Sequence, residues 1–426
     1  MKMMSYWLDT AAPFASAIPG GPRGTADVVV VGAGFTGLSA ALALARKGAK
    51  VVVLEADRVA GAASGRNGGM CNNGFAQDYC GMAARLGRER ANMLYRAFDA
   101  GVDKVESIIA EEGIDCHFRR VGKLKVAAKP AHYEKLARAQ EAMAREVDPD
   151  TRMIPRSALH EEIGSDRYFG GMLIEKGAAM HMGLYGQGLA EAAARRGALI
   201  YENNPVIELR RVAGQAHEVR TPSGSIRANQ VLLATGTSNI GPLGWVRRRI
   251  VPVGAYIIAT EPLSDAQLNR LTPRRRNTTD TLNFVNYFRT SPDNRLLFGG
   301  RARFSGTSNP ASDAKSGAIL RRSMVAIFPE LADTRIDYCW GGIVDMTSDR
   351  LPRAGERDGL FYSMGYSGHG THMATYMGAI MAEVLDGRAE LNPWRDFDWP
   401  AIPGYFGKPW FLPFVGAYYR YKDLVQ

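Results

Sequence analysis

The stretch from Asp27 to Glu55 limits the possible folds of this chain more than any other. It begins with the valine run Val28 to Val31, which predicts a strand buried on both faces. Three glycines follow this strand in the spacing G-x-G-x-x-G, at Gly32, Gly34 and Gly37.

A helix and a second strand follow the glycines. Leu38 to Lys47 is rich in alanine and leucine, which favour helix, and Gly48 is a residue that can end it. Val51 to Leu54 predicts the second strand, and Glu55 stands at its end. Three glycines within six residues, with a second strand soon after, argue against a membrane span over Val28 to Ala45.

Each part of this unit fits a dinucleotide. The first glycine permits a tight turn, the second lets a pyrophosphate approach the backbone, and the third lets the helix pack closely on the strand. The helix N-terminus offers free N–H groups to the phosphates, and Glu55 can accept hydrogen bonds from a ribose. We therefore predict a dinucleotide site here; a purely structural glycine turn is the alternative.

Length and composition set the class of protein. A chain of 426 residues with 46% hydrophobic residues can bury a large core and predicts two domains. Its four cysteines show neither C-x-x-C pairing nor metal-ligand spacing with histidine, so we predict no metal site and reduced thiols in a cytoplasmic protein. The proline- and glycine-rich segment before Thr25 predicts an irregular lead-in without the features of a secretory signal.

The net charge of +10 raises the question of nucleic-acid binding. The basic residues are scattered except for Arg247–Arg249 and Arg274–Arg276, and neither run alternates with aromatic residues. We predict a solvated basic surface that attracts anionic ligands, and no nucleic-acid partner.

A second glycine-rich segment, residues 62–73, follows Glu55. Glycines among polar side chains are typical of a loop whose backbone approaches a ligand; a surface linker is the alternative. Together, this loop and the preceding strand–helix–strand unit resemble the D-amino-acid-oxidase superfamily of FAD-dependent amine oxidases, and within it the γ-glutamylputrescine oxidase group. The resemblance lies in VVVVGAGFTGLSAALALARKGAKVVVLEAD and GAASGRNGG. The resemblance implies that Ser64, Arg66, Asn67, Gly68 and Gly69 lie along the pyrophosphate and isoalloxazine of FAD.

Two later segments complete the predicted cofactor site. The strand Gln230 to Gly236 ends in Ala-Thr-Gly, and its occurrence together with the loop 62–73 favours FAD over NAD. Gly365 to Thr371 precedes a predicted helix, His372 to Leu385, whose N-terminus in the superfamily faces the flavin N1–C2=O end. The predicted cofactor-binding residues are Gly32, Gly34, Phe35, Thr36, Gly37, Glu55, Ala56, Ser64, Arg66, Asn67, Gly68, Gly69, Val206, Thr235, Gly236, Gly365, Tyr366, Gly368, His369, Gly370 and Thr371.

The resemblance implies an α/β fold: a discontinuous, Rossmann-like FAD-binding domain with an inserted α+β substrate domain built on an antiparallel sheet. The predicted division is 27–80, 155–245 and 335–390 for the FAD-binding domain, 81–154 and 246–334 for the substrate domain, and 391–426 for an aromatic-rich C-terminal extension. We predict that the extension packs over the domain junction; docking on a membrane surface is the alternative.

Local patterns give further elements. Apolar spacing predicts helix from Gly81 to Ala110, and Ile336 to Asp345 is predicted to lead back to the FAD-binding domain. A hairpin is predicted from Glu218–Arg220 and Ser225–Ala228. Substrate-domain strands are predicted over Val251 to Thr260, Thr281 to Phe288 and Arg295 to Gly300.

Several side chains are candidates to face the substrate. They are Tyr256, Tyr287, Arg301, Trp340 and His369. The alternatives are core packing for the aromatic residues and a surface ion pair for Arg301. His372 is predicted to pack or to cap its helix.

The activity implied by the resemblance is oxidation of an amine C–N bond. A hydride passes from the α-carbon of the neutral amine to flavin N5, the imine hydrolyses to aldehyde and ammonia, and dioxygen or another acceptor reoxidises the flavin, dioxygen giving peroxide. Such a transfer needs no side-chain acid or base, so no catalytic side chain is assigned. No cysteine stands at an evident counterpart of the covalent flavin attachment sites of some relatives, so we predict non-covalent FAD.

The resemblance favours γ-glutamylputrescine or a related acylated polyamine as substrate. A secondary or cyclic amino acid, as in the sarcosine and pipecolate oxidases, is the alternative, and its carboxylate would require a cation such as Arg66, Arg301 or Arg303. Alternatives of other classes are a flavin-dependent tRNA-modifying module and a binding protein with a redox-silent flavin.

Overall fold

The computed structural model describes residues 1–425 apart from 213, 215, 239, 240, 301–305 and 307. Within these residues the α-helices are α1 (Tyr6–Asp9), α2 (Phe35–Arg46), α3 (Tyr79–Leu86), α4 (Arg88–Glu112), α5 (Pro130–Glu146), α6 (Met182–Arg195), α7 (Gly244–Arg247), α8 (Asp265–Leu271), α9 (Pro310–Ile327), α10 (Gly370–Leu385) and α11 (Leu412–Val425). The strands are β1 (Thr25–Val31), β2 (Val51–Leu54), β3 (Met70–Cys71), β4 (Arg119–Arg120), β5 (Lys123–Val126), β6 (Arg152–Pro155), β7 (Gly170–Ile174), β8 (Ala178–Ala179), β9 (Leu199–Tyr201), β10 (Glu208–Arg211), β11 (His217–Thr221), β12 (Gly224–Leu233), β13 (Val251–Thr260), β14 (Asn277–Asp280), β15 (Asn286–Thr290), β16 (Leu296–Gly300), β17 (Ile336–Met346), β18 (Arg353–Arg357) and β19 (Leu360–Met364).

The first sheet contains the dinucleotide motif. Its strands follow the order β10-β11-β12-β1-β2-β9, with β19 pairing to β12 and β18 pairing to β19. Strand β1 lies between β12 and β2 and is parallel to both. Helices α2, α6 and α10 contact one another, and their apolar side chains share one cluster with Val28 and Val30 of β1. The strand–helix–strand unit is therefore buried on both faces, as a valine-only strand requires.

The second sheet is mostly antiparallel, in the order β17-β13-β16-β15-β14-β5-β7-β6. One face carries Ile257, Leu297 and Trp340, which belong to the same cluster as α2 and α10. The other face carries Ile258 and Phe298, which pack in a separate cluster with residues of α9. A short third sheet, β3-β8-β4, completes the fold. This arrangement places one face of the second sheet toward the nucleotide-binding layers, and the predicted α/β fold with an antiparallel substrate sheet is confirmed.

Several element boundaries are corrected. The predicted strand Thr281 to Phe288 is wrong: β14 ends at Asp280 and β15 begins at Asn286. The Asp280 carboxylate accepts hydrogen bonds from the backbone N–H groups of Leu282 and Asn286 at 3.1 Å, which turns the chain between the two strands.

Two further elements differ from prediction. The helix expected over Gly81 to Ala110 is divided into α3 and α4 because Gly87 has φ +82°, outside the helical region. The second strand of the predicted hairpin and the strand predicted from Gln230 are one continuous strand, β12, which pairs with β11 in its first half and with β1 and β19 beyond it.

Sheet membership differs from the predicted domain division at two strands. Strand β17, predicted to lead back to the FAD-binding domain, pairs with β13 in the second sheet. Strand β7 pairs with β5 in the same sheet. The return to the first sheet begins with β18 and β19.

The N-terminal segment is more ordered than an irregular lead-in. It contains α1, whose Trp7 has 0% relative exposure, and Lys2 forms an isolated bridge with Tyr338. Tyr6 and Trp7 belong to the cluster that contains α2 and α10. The segment is therefore part of the core.

The C-terminal extension contacts both sheets. Trp399 packs against Trp245 and Tyr362, and Asp423 of α11 accepts hydrogen bonds from the backbone of Asn283 and Phe284 at 2.8 Å. Its exposed large apolar side chains are Leu391, Phe406, Trp410, Phe414, Tyr418, Tyr421, Leu424 and Val425. Among the described residues, no helix combines the length and apolar character that crossing a bilayer requires.

Candidate active site

The glycine turn after β1 is closely packed. Gly32 has φ +106°, which favours glycine, and a Cβ there would lie 2.7 Å from the carbonyl oxygen of Ala234. A Cβ on Gly37 would overlap the carbonyl oxygen of Gly32 and lie 3.0 Å from Val30 Cγ1. Only glycine at position 37 therefore lets α2 lie this close to β1.

Glu55 connects the second strand to this turn. Its Oε2 accepts a hydrogen bond from Ala33 N at 2.7 Å, and its Oε1 accepts one from Asp57 N at 3.0 Å, with Ala56 between them in the chain. Burial raises the pKa of Glu55 above its ordinary value. The carboxylate stands beside the turn, where a ribose of a dinucleotide bound at Gly32–Gly37 would lie.

The loop 63–69 reaches both helix N-termini of the site. Ser64 Oγ accepts from Phe35 N, the first residue of α2, at 3.1 Å. Asn67 Oδ1 accepts from Gly69 N at 2.8 Å and from Thr371 Oγ1, near the start of α10, at 3.3 Å. The loop thus joins the two helices.

A third contact joins the loop before α10 directly to α2. The Tyr366 hydroxyl lies 2.7 Å from Thr36 Oγ1 and 2.9 Å from Ser363 Oγ, which connects the loop before α10 to α2. In this loop Gly365, Ser367 and Gly368 have positive φ, and Gly370 begins the helix after His369 without a side-chain cap. The turn 32–37, the loop 63–69 and the loop 365–371 therefore meet at one place in the fold.

The strand end at Thr235 and Gly236 lies beside the same turn. Ala234 N donates to Val31 O at 2.9 Å, and Gly236 has φ +54°. Within the described residues, the buried Thr235 Oγ1 has no hydrogen-bond partner. Val206, which follows β9, is buried in the cluster behind this edge of the sheet.

These features fit FAD. The N-cap residues of α2 and α10, Gly34 and His369, supply no side-chain cap, and at α2 Ser64 Oγ accepts from Phe35 N, so further N–H groups of both first turns would be available to an anion or a carbonyl. Glycines leave the backbone accessible where a dinucleotide would approach. The Thr235 hydroxyl, which lacks a partner among the described residues, and the Glu55 carboxylate supply polar groups at the edge of this site. The predicted residues of the turn 32–37, the loop 63–69 and the loop 365–371 lie together, and the contacts of all the predicted residues with FAD stay predictions.

Arg66 is turned toward the protein backbone. Its Nε donates to Gly61 O at 2.9 Å and its Nη1 to Gly341 O at 3.4 Å, and burial lowers its pKa. The carbonyl of Arg66 accepts from Trp340 Nε1 at 2.9 Å. Arg66 and Trp340 thus fasten the loop 63–69 to β17. Arg301 and Arg303, the other candidates for a carboxylate partner, lie outside the described residues.

Tyr287 and Tyr256 lie on opposite faces of the second sheet. A Cβ on Gly68 would lie 2.9 Å from Tyr287 Cε2, so the Tyr287 ring lies against the loop 63–69. Tyr256 is fully buried in the cluster that packs on α9, which agrees with core packing, the alternative to a substrate contact. Of these two tyrosines, only Tyr287 is on the nucleotide side.

The predictions missed a group of residues that support the loop 63–69. Ser5 Oγ donates to Gly65 O at 2.6 Å, and Trp7 Nε1 donates to Asn67 O at 2.7 Å. The buried Arg289 guanidinium donates to Gly69 O and, at 3.0 Å, to Met180 O. In the sequence, the aromatic pair Tyr6 and Trp7 within a proline- and glycine-rich segment indicated that this segment packs against the core.

The predictions also missed Lys123 of β5. It lies on the face of the second sheet that carries Tyr287, because Lys125 pairs with Thr279, Thr279 pairs with Tyr287, and side chains two residues apart share a face. Burial, with a smaller effect of Lys125, lowers the pKa of Lys123 to about 7. Burial and then the charges of Lys123 and Lys125 lower the pKa of His369 to about 3.

The two basic runs bind groups of the protein itself. Arg249 donates to the carbonyls of Trp399 and Trp245, and Arg276 pairs with Glu162 at 2.6 Å. Arg275 donates to the carbonyls of Leu268 and Thr272. The four cysteines are free thiols, and the described residues contain no cluster of histidine, cysteine and acidic side chains placed to hold a metal.

Comparison with known proteins agrees with this geometry. Residues 27–384 match the DAO family, described as FAD dependent oxidoreductase. The chain belongs to this family. It is 32% identical to γ-glutamylputrescine oxidoreductase of Escherichia coli (strain K12), with 98% of both chains covered. It is 34% identical to the probable oxidoreductase OrdL of Haemophilus influenzae, covering 89% of this chain and 87% of that one.

Solved structures show the same fold. L-proline dehydrogenase from P. horikoshii matches with a TM-score of 0.71 at 18% identity, covering 88% of this chain and 98% of the other. Glycine oxidase from Geobacillus kaustophilus matches with a TM-score of 0.68 at 20% identity, covering 90% and 98%. The protein is thus an FAD-dependent amine oxidoreductase.

Proposed function

We propose that this protein oxidises γ-glutamylputrescine or a related acylated polyamine at its free amine end. The support is the 32% identity to γ-glutamylputrescine oxidoreductase, which extends over 98% of both chains and so includes the C-terminal extension. The relatives that act on small amino acids are more distant: glycine oxidase of Geobacillus kaustophilus and sarcosine oxidase subunit beta of Rhodobacter capsulatus are each 24% identical.

The chain's own part in the reaction is to bind, orient and exclude water. FAD, when bound, supplies the hydride acceptor. The turn 32–37, the loop 63–69 and the uncapped N-terminus of α10 would hold it, and the α10 dipole would favour negative charge at that end. The second sheet presents the Tyr287 ring against this loop, and the substrate amine would lie beside that ring.

Two further properties belong to the proposal. FAD is bound non-covalently, since Cys71 and Cys116 are buried and their thiol pKa values are raised by burial, which disfavours the thiolate. Dioxygen is the electron acceptor, so turnover in air releases peroxide. Denaturation that leaves yellow colour on the protein would contradict the first property.

The test is anaerobic bleaching of the flavin absorbance of the holoenzyme. The panel is γ-glutamylputrescine, putrescine, spermidine, sarcosine, pipecolate, proline and D-alanine. We expect γ-glutamylputrescine to reduce the flavin with the largest second-order rate constant, and admission of air to return the colour with release of peroxide. Faster reduction by sarcosine, pipecolate or proline would assign the protein to the amino-acid oxidases instead.

A further inference from the structure

A cleft of about 490 Å³ lies between the C-terminal helix α11 and the turn that follows β14. Leu282 and Phe284 of that turn and Leu424 of α11 form the apolar part of its wall. Small-molecule sites in proteins usually have volumes of about 300–1,000 Å³, so this cleft is large enough to hold a small organic ligand.

The cleft lies on the face of the second sheet that points away from the flavin loops. Asp280, which lines the cleft, follows Thr279 in β14, and Thr279 pairs with Tyr287, whose ring lies against the loop 63–69. Side chains of successive strand residues point to opposite faces, so Asp280 and Tyr287 are on opposite sides of the sheet. Tyr168, also in the cleft wall, belongs to the cluster that packs on α9. A ligand in this cleft is therefore separated from the flavin by the sheet.

Three cationic side chains line the cleft. They are Lys129, Arg167 and Arg420, and none of them forms an ion pair with a carboxylate among the described residues. The Arg420 guanidinium lies over the ring of Phe284, 5.5 Å from its centroid. Lys129 is also the N-cap residue of the 17-residue helix α5 and supplies no side-chain cap. The positive end of the α5 dipole therefore adds to the positive charge of the cleft.

Two carboxylates also line the cleft, but N–H groups of the protein already bind both of them. Asp280 accepts two hydrogen bonds from Asn286 and one from Leu282, at 2.7–3.1 Å. Asp423 accepts the backbone hydrogen bonds of the turn after β14 described above. Burial raises the pKa of Asp280 to about 7, which weakens its negative charge at neutral pH. The unpaired charge of the cleft is thus positive.

The cleft wall also contains a buried hydroxyl group without a partner. Tyr168 has 2% relative exposure, and its hydroxyl has no hydrogen-bond partner in the described part of the chain. Buried polar atoms are almost always hydrogen-bonded, so an unpartnered one in the wall of a cleft points to a ligand. A phenol can donate this hydrogen bond to an anion.

We infer that this cleft binds a small organic phosphate at a site separate from the flavin. Two guanidinium groups, an ammonium group and a helix N-terminus are the groups that bind phosphates in proteins. The Tyr168 hydroxyl donates one more hydrogen bond, and the apolar wall contacts the organic part of the ligand. The inference does not depend on which amine the enzyme oxidises.

A phosphate in the cleft joins three separate parts of the chain. Lys129 begins α5, Arg167 precedes β7, and Arg420 belongs to α11. Only Leu412 and Gly416 of α11 are buried, so few apolar contacts hold this helix in place. Because a ligand that binds only the folded protein stabilises it, binding should raise Tm and slow proteolysis of α11.

The test is titration calorimetry of the holoenzyme with three ligands that share one ring. Phenyl phosphate is a dianion, benzenesulfonate a monoanion, and benzyl alcohol is neutral. We expect phenyl phosphate to bind at least tenfold more tightly than benzyl alcohol, with benzenesulfonate between them, and to leave the flavin absorbance spectrum unchanged. Equal affinity for all three ligands would overturn the inference, and benzenesulfonate as tight as phenyl phosphate would overturn the assignment to a phosphate.

Substitution of the arginines tests the location of the site. R420M and R167M should each weaken phenyl phosphate binding by about tenfold to hundredfold, the range for a hydrogen bond to a charged group. R420K keeps the charge and should recover part of the affinity. The control is R322M, at an exposed arginine of α9 that is not in the cleft, which should match the wild type. Phenyl phosphate that binds R420M and R167M like the wild type, or that changes the flavin spectrum, would overturn the site.

Y168F gives a second test that does not depend on the arginines. The hydroxyl has no partner in the free protein, so its removal should leave Tm without ligand unchanged or higher. Phenyl phosphate binding should weaken by about two- to tenfold, and the rise of Tm with ligand should shrink. A Y168F protein that is less stable without ligand and binds phenyl phosphate like the wild type would show that the hydroxyl serves the fold and would contradict its role in the site.

Discussion

The nucleotide-binding loops differ from the pair Lys123 and His372 in how fully their polar groups are hydrogen-bonded. In the loops, Glu55, Ser64 and Asn67 each accept a hydrogen bond from a backbone N–H of the same region, at 2.7–3.1 Å. By contrast, Lys123 has one hydrogen bond, at 3.3 Å, and the His372 ring has none among the described residues. The loops are thus held in shape by their own hydrogen bonds, whereas these two side chains keep unused hydrogen-bonding capacity.

This contrast predicts two different effects of substitutions, depending on the region. Changes in the loops should remove FAD and stability together, because the loops support one another. Changes on the face of the second sheet should leave FAD in place and alter substrate binding. The substitutions below run from the largest expected effect to the smallest.

Gly37→Ala should have the largest effect on FAD binding. Its Cβ would overlap the Gly32 carbonyl oxygen, so α2 must move away from β1 and its N-terminus with it. We expect near-complete loss of bound FAD and a loss of about 1–3 kcal/mol or more of stability. The ratio of flavin to protein absorbance measures this.

The matched control is Gly244→Ala, at the start of α7. A Cβ there meets no atom within 4 Å, and its backbone does not need glycine. Its stability should stay within about 0.5 kcal/mol of the wild type with FAD retained. Full FAD content in Gly37→Ala would refute the account of the turn.

Trp7→Ala tests whether the N-terminal segment supports the loops. Trp7 is fully buried and donates to Asn67 O, so its truncation should cost about 3–5 kcal/mol and weaken FAD binding. Trp7→Phe keeps most of the packing and loses the N–H, which should cost about 1 kcal/mol. Denaturant unfolding and FAD titration measure both; equal behaviour of Trp7→Ala and wild type would show that the segment is dispensable.

His181 makes the same segment sensitive to acid. It is 3% exposed, its Nδ1 accepts from Leu184 N at the start of α6, and its Nε2 lies 2.9 Å from Thr10 Oγ1. Burial, with the charges of His117 and Arg289, lowers its pKa to about 4. The unfolded chain therefore binds the proton more readily than the folded one, and stability is lost as pH falls from 6.5 to about 4.

A shift of this size corresponds to a loss of up to about 3 kcal/mol. His181→Asn keeps an acceptor for the α6 N-terminus but does not titrate, so its unfolding free energy should vary less between pH 6.5 and 4. Identical pH profiles for the two proteins would exclude His181 as the cause.

Tyr287→Phe should have the smallest effect and only on the substrate side. The ring that packs on Gly68 is kept and only the hydroxyl is removed. We expect FAD content and stability near the wild type, and a fall of about 2- to 10-fold in kcat/KM if the hydroxyl bonds the substrate. Loss of FAD from this variant would break the contrast between the two regions.

The sequence was informative where local rules decide the structure. β2 and β13 have the predicted bounds, and β1, α2 and α10 each include the predicted segment or most of it, because valine runs, glycine turns and alanine-rich helices are local patterns. That three loops meet near Ser64, Asn67 and Tyr366 was predicted from the resemblance to a family whose fold is known.

Contacts between distant parts of the chain could not be predicted. The backbone N–H groups of Asn283 and Phe284 bind Asp423, 140 and 139 residues away, so a segment that looks like a strand is a loop. Trp7 and Asn67 are 60 residues apart. Lys123 lies in a four-residue strand whose alternation is ordinary, and it is the strand pairing of the second sheet that places it on the face that carries Tyr287.

The flavin content of the purified protein tests the central claim most directly. The account predicts a yellow protein with about one FAD per chain, and denaturation should release all of the colour into solution as FAD. A colourless protein that fails to take up added FAD would contradict the claim that the turn 32–37, the loop 63–69 and the loop 365–371 form one cofactor site.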